Sequence, residues 1–176
     1  NMNLIPGLNN IDSYIYVVPI WENGKVVNCI LRRNDKKSTE NVKTLNLKGL
    51  EQKLFNSDYL KQSEKLIFIT EGVFDCLSIE SIGYKSICLN SVNMAQKFIN
   101  LVKENLNTCK DTKFIIALDN DIHGIKATKK LSEELENLNI INFSLTVDSK
   151  YKDINEYYLN DLDGLKDEIE ICTKNI

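Results

Sequence analysis

The sequence predicts an α/β fold: an open parallel sheet of four strands flanked by helices, preceded by a small β-rich unit. Three observations carry this. Short apolar runs alternate with amphipathic segments from Ser63 onward, the first third is β-branched and aromatic with a hairpin turn, and hydrophobic residues make up 43% of the 176 residues. That content and length support one full domain, or one with a small satellite.

In the first third, "YIYVVPI" and "KVVNCILRR" read as strands, and the Asn-Gly of "WENG" between them is a two-residue hairpin turn. Pro19 has no N–H to give a ladder, so it places the first strand at an edge. "NDKKSTEN" follows as a polar loop. The division expected is residues 1–62 for this unit and 63–176 for the α/β domain.

In that domain "KLIFIT" is a strand, followed by a helix over about Val73 to Ser81; "SICL" is a strand, followed by a helix over about Val92 to Leu106. Ala95, Phe98, Ile99, Val102 and Leu106 form a stripe of helical period. "KFIIAL" is the third strand, and Ile125, Thr128, Leu131, Leu135 and Leu138 line the next helix. "IINFSLTV" is the fourth strand, and Leu162, Leu165, Ile169 and Cys172 mark a final helix. Strand and helix in alternation imply right-handed crossovers and a parallel sheet covered on both faces.

Charge is uneven: residues 1–62 hold nine Lys/Arg against six Asp/Glu, a net of +3, and residues 63–176 hold thirteen against nineteen, a net of -6. Acidity does not exclude a nucleic-acid partner when positive charge is local. The five cysteines are scattered and never in a C-x-x-C pair, and with one histidine they read as reduced thiols rather than zinc ligands. No run reaches the roughly 18 apolar residues of a membrane span, and the first 30 residues lack a signal-peptide core. The expectation is a cytoplasmic protein with no membrane partner.

The acids are the informative residues. Ligands of open parallel sheets sit beyond the carboxyl ends of the strands. Glu71 ends the first strand of the domain in "FITEGVFD", Asp119 and Asp121 end the third in "KFIIALDNDIHG", and Asp153 follows the fourth in "YKDINEYY". Residues i and i+2 of an extended segment point to one side, so Asp119 and Asp121 share a target while Asn120 is a spacer facing away. Two anions so close repel, and Mg²⁺, which takes few carboxylates and keeps waters and phosphates, relieves the repulsion. Asp75 falls in the first turn of a helix, where a negative charge suits the dipole. Gly72 permits a close backbone approach, and Gly124 could open a helix N-terminus toward an anion. Each acid also has an ordinary reading, because Asp is a routine helix N-cap.

"ITEGVFDCLSI", "ALDNDIHGIKA" and "KDINEYY", in this order, resemble the Toprim domain of primases, topoisomerases and certain nucleases over roughly Glu64 to Tyr158. Within that family, Glu-Gly-x-x-Asp and the segment "VVPIWENGKVVNCILRRND…VKTLNLKG…KLFN" are similar to bacterial and phage DNA primases. The resemblance departs at "CIL", where glycines commonly precede the basic Arg, at Thr44 in place of an aromatic, and at His123 in place of a small residue, read as an exposed first-turn side chain.

It implies a Rossmann-like Toprim fold and template-directed RNA primer synthesis. Asp119, Asp121 and Asp153 would hold Mg²⁺ or Mn²⁺, and Glu71 and Asp75 would complete the metal shell or accept a proton. Arg32, Arg33 and Lys43 would contact template, nucleotide phosphates or primer; otherwise they are a solvated basic strand end. The partners implied are single-stranded DNA, ribonucleoside triphosphates and a replicative helicase. A "GxxxxGK[ST]" phosphate loop is absent, so the chain reads as a catalytic core. A Toprim nuclease and a non-catalytic nucleic-acid-binding module are the alternatives. A phosphoacceptor receiver domain would order its acids differently.

Overall fold

A computed structural model describes residues 14–33, 44–47 and 49–174. The chain divides into two compact units between Lys53 and Leu54.

In the first unit, β1 (Tyr14–Glu22) and β2 (Lys25–Arg33) pair antiparallel, and β3 (Thr44–Asn46) adds to β2 in the order β1-β2-β3. Asn23 and Gly24 both take positive φ, 50° and 74°. Asparagine and glycine tolerate this region, and the resulting turn matches the twist of the flanking strands. Pro19 lies on β1, an edge strand, as its missing donor requires. Ile20, Ile30 and Leu31 are buried, and the Asn28 amide donates to the Glu51 carbonyl at 2.9 Å.

The second unit begins with a segment that covers a sheet edge: Phe55 makes a reciprocal antiparallel bridge to Cys88, while Leu54 and Leu60 enter the core. Its strands are β4 (Leu66–Thr70), β5 (Ser86–Cys88), β6 (Lys113–Ala117) and β7 (Asn142–Ser144), all parallel, in the order β5-β4-β6-β7. Its helices are α1 (Val73–Ser81), α2 (Ala95–Glu104), α3 (Leu106–Cys109), α4 (Ile122–Glu136), α5 (Ile154–Asn160) and α6 (Leu162–Lys174).

The central strands β4 and β6 are nearly continuous apolar runs because helices cover both faces. Ile67, Ile69, Phe114 and Ile116 pack with Phe98 and Val102 of α2 and Leu131 and Leu135 of α4. The alternate residues Phe68, Ile115 and Ala117 pack with Ile79 of α1, Ile154 and Tyr157 of α5, and Leu165 and Ile169 of α6. No helix among the described residues is long and apolar enough to cross a membrane.

Two elements differ from their expected extent. The predicted helix over Val92 to Leu106 starts as a 3-10 turn, Val92–Met94, capped by the Ser91 hydroxyl, and breaks at Asn105, whose amide donates to the Leu101 carbonyl at 2.8 Å. The predicted strand "IINFSLTV" pairs only over Asn142–Ser144. Its one ladder partner among the described residues, β6, ends at Ala117, so beyond the Leu145 N–H bond to the Ile116 carbonyl the described residues offer it no backbone to pair with. Leu145 and Val147 stay buried without being strand.

Gly124, in the first turn of α4, packs against the backbone of Asp119, and a Cβ there would collide with the Asp119 carbonyl oxygen. Gly124→Ala gains about 1 kcal/mol in helix propensity. Overpacking against rigid backbone costs about 1–3 kcal/mol and outweighs it. Thermal unfolding is expected to show a net fall in Tm of several degrees, whereas Lys130→Ala on the exposed face of α4 stays close to the parent chain.

Candidate active site

Strand order decides where a site can form. From β4 the chain crosses to β5 on one side and then returns past it to β6 on the other, so the crossovers diverge between β4 and β6 and open a crevice at their carboxyl ends. The two strands end level, Thr70 opposite Ala117. Glu71 therefore leaves β4 beside the point where Leu118 and Asp119 leave β6.

The backbone around each acid is fixed locally. Gly72 caps α1 in an extended conformation, and a Cβ on it would press on the Asp75 carboxylate, which explains glycine after Glu71. Asp75 is 7% exposed, and its Oδ1 accepts the Asn155 N–H at 2.8 Å, tying the start of α1 to the start of α5. Asp121 caps α4 by accepting the His123 and Gly124 N–H groups, each at 2.9 Å, through Oδ1. Asp153 caps α5 in the same way, accepting the Glu156 N–H at 2.8 Å. The capping and ligand readings of these two aspartates are thus compatible: a cap uses Oδ1, and Oδ2 makes no hydrogen bond among the described residues.

Two residues the sequence did not single out, Lys152 and Asn155, and one it cast as a spacer, Asn120, complete the arrangement. Asn120 is more than a spacer: its amide donates to the Val147 carbonyl at 2.8 Å and its N–H to the Lys152 carbonyl at 3.3 Å, so it holds the loop before α5 against the end of β6. Asn155 donates its N–H to Asp75, as described. Lys152 places Nζ 3.5 Å from Asp119 Oδ2. The one available signal was proximity in the chain: Asn120 and Lys152 adjoin motif acids, and Asn155 lies two residues after Asp153.

Electrostatics follow from burial and crowding. Glu71 is pushed up to about 7, first by burial and then by the charges of Asp119 and Asp121, with Lys152 opposing. Asp75 is also pushed up to about 7, by burial and then by Asp153, against the Asn155 hydrogen bond. Burial raises Asp119 despite Lys152. Asp121 is lowered, chiefly by the Gly124 N–H, and Lys152 is raised, chiefly by Asp119. Groups near neutrality in a crevice are characteristic of functional sites.

Among the described residues, no set of three or more His, Cys, Asp or Glu side chains is arranged to hold a metal ion by itself. Sparse carboxylates fit a hard divalent cation that keeps several waters and shares phosphate oxygens, and do not fit a closed all-protein cage. His123 is exposed in the first turn of α4. Arg32 and Arg33 lie on β2 in the other unit; Arg33 is buried, and Arg32 Nη1 donates to Thr44 Oγ1 at 3.3 Å. Lys43 lies outside the described residues.

Comparison with known proteins agrees with this architecture. Residues 68–158 match the family described as Toprim-like. The DNA primase of Mycoplasma genitalium is 31% identical over 107 residues, which cover 61% of this chain and 17% of that protein, so the chain spans about a sixth of its relative's length. Among solved structures, the primase fragment of the bacteriophage T7 primase-helicase protein superposes with a TM-score of 0.63 at 23% identity, covering 86% of this chain and 61% of that one. The Aquifex aeolicus primase, with its zinc-binding and RNA polymerase domains, gives 0.59 at 24% identity over 90% of this chain and 39% of that one. The RNA polymerase domain of Mycobacterium tuberculosis primase, in complex with double-stranded DNA, gives 0.64 at 16% identity over 87% and 51%. The chain belongs to the Toprim-like family, with its likeness to the DNA primases of bacteria and phage.

Proposed function

We propose that this chain is the catalytic core of a DNA primase, which joins ribonucleotides on a single-stranded DNA template. What carries the reading is that Glu71 and Asp119 follow the level ends of β4 and β6, with Asp121 next on the chain and the loop before Asp153 tethered by the Asn120–Lys152 hydrogen bond, in the order of the primase-like motifs. In the reaction, the 3′-hydroxyl of one nucleotide attacks the α-phosphorus of the next triphosphate, a P–O bond forms, and pyrophosphate leaves with the electrons of the broken bond.

Asp119, Asp121 and Asp153 would hold Mg²⁺ or Mn²⁺ against the triphosphate, and Glu71 would complete that shell. When bound, such an ion supplies electrostatic stabilisation to the transferring phosphoryl group. Alternatively Glu71 would accept the 3′-hydroxyl proton; without metal, burial and the neighbouring aspartates push its carboxyl up to about 7. Asp75 supports the site from behind through Asn155. Arg32 and Lys43 would supply positive charge for template, primer or nucleotide phosphates, an interaction that weakens with salt, and Arg33, buried on β2, would act only through its longer-range charge. A replicative helicase is the further partner of this reading.

Primer extension from ribonucleotides on single-stranded DNA, with Mg²⁺ or Mn²⁺, tests it directly. Template-dependent dinucleotide formation by the parent chain is expected to fall by roughly 100-fold or more in both Glu71→Ala and Asp121→Ala. Cleavage of the DNA without synthesis would instead assign the site to a nuclease.

Asp75 gives a pH prediction. Its carboxyl titrates near 7 in the fold and near 4 in an unfolded chain, so the folded state holds the proton more tightly. The penalty for ionising it in place is absent below about pH 4, grows as pH rises, and is complete above about pH 7. Asp75→Asn keeps an oxygen for the Asn155 N–H and removes the charge. Without metal, the variant should melt above the parent chain at pH 8 and together with it near pH 4, as read by circular dichroism. The gap at pH 8 corresponds to a few kcal/mol at most.

A further inference from the structure

The acidic crevice contains a cation of its own. Lys152 Nζ stands 3.5 Å from Asp119 Oδ2, and its charge also acts on Glu71, Asp121 and Asp153. The backbone of Lys152 is fixed at both of its polar groups: its N–H donates to Glu156 Oε2 at 2.6 Å, and its carbonyl accepts the Asn120 N–H at 3.3 Å. Glu156 lies in the first turn of the helix that Asp153 caps, and Asn120 lies between Asp119 and Asp121. The Cα is therefore tied to two of the acidic motifs at once, while the side chain remains 67% exposed.

A lysine–carboxylate pair whose ammonium is solvated contributes only modestly to stability, even with Asp119 17% exposed. A fixed root with a mobile, solvated tip suits a different task. The ammonium is a compact point charge on a flexible stem, and it can leave one oxygen for another without moving the backbone.

Resting on the metal-site reading above, we propose that Lys152 is the resident counter-cation of the crevice, a positioning residue whose ammonium balances the carboxylates until a divalent ion displaces it from Asp119. Two consequences follow from competition between like charges for one oxygen set. Divalent affinity is held below what the carboxylates alone would give, so the ion exchanges readily. The displaced ammonium stays tethered at the rim, where it meets the phosphate oxygens that accompany the metal.

Calorimetric titration of the whole chain with Mn²⁺ tests this, using the parent, Lys152→Met and Lys152→Arg, with melting curves in the presence of chelator. Lys152→Met should bind Mn²⁺ roughly tenfold more tightly, the effect of removing one nearby unit charge from a partly exposed site. Lys152→Arg keeps the charge and should stay near the parent affinity. Without metal, Lys152→Met should melt below the parent, and saturating Mn²⁺ should abolish the difference. Equal or weaker Mn²⁺ binding by Lys152→Met, or tighter binding by Lys152→Arg, overturns the counter-cation role and leaves the metal site standing. Failure of the parent chain to bind Mn²⁺ overturns both.

Discussion

Level parallel pairing of β4 with β6 is the constraint on which the rest of this protein depends. Because Thr70 stands opposite Ala117, the residues that follow the two strands emerge at the same height, on either side of the crevice where the crossovers diverge. Glu71 and Asp119 are thereby brought together from positions nearly fifty residues apart in the chain. The pairing is held by apolar residues on both faces, Phe68 and Ile115 toward one helical layer and Ile67, Ile69, Phe114 and Ile116 toward the other. A shift of one residue would exchange these sets between layers and move the carboxylates out of level.

Gathering carboxylates this way works against stability. Burial and mutual repulsion raise Glu71, Asp75 and Asp119, and each raised acid marks free energy that the fold gives up at neutral pH. Compensation comes from groups that favour the ionised form: the N–H groups at the start of α4 on Asp121, and the Lys152 ammonium on Asp119. Helix N-termini serve here as fixed partial positive charge. Asp121, which caps α4, is exposed, and the acids set deeper carry the strain. Such a division is expected where a site must bind a cation reversibly rather than enclose it permanently.

Small polar residues give the crevice its shape. Asn120 fastens the loop before α5 to the end of β6, and Asp75 fastens α5 to α1 through the Asn155 N–H. The third acidic motif is thus held by the first two, and the loop that carries it needs no strand of its own. This explains how β7 can stop at Ser144, well short of Asp153, without releasing the residues that follow. Glycine is required at Gly124, where a side chain would occupy space taken by the Asp119 backbone, and at Gly72 it leaves room for the Asp75 carboxylate.

The sequence by itself determined what local chemistry can express. Asn23-Gly24 made a hairpin turn because those residues accept positive φ, the continuous apolar runs made strands covered on both faces, and acids after those runs fell at the carboxyl edge because the crossovers of a parallel sheet leave its strands running the same way. Tertiary structure alone decided the strand order, the truncation of β7, and the break at Asn105. It also decided which carboxylates are buried enough to titrate near neutrality, and that Asn120, Lys152 and Asn155 join the site. These depend on contacts such as Asp75 to Asn155, eighty residues apart, and no periodicity or spacing within a segment reports which distant backbone a side chain will meet.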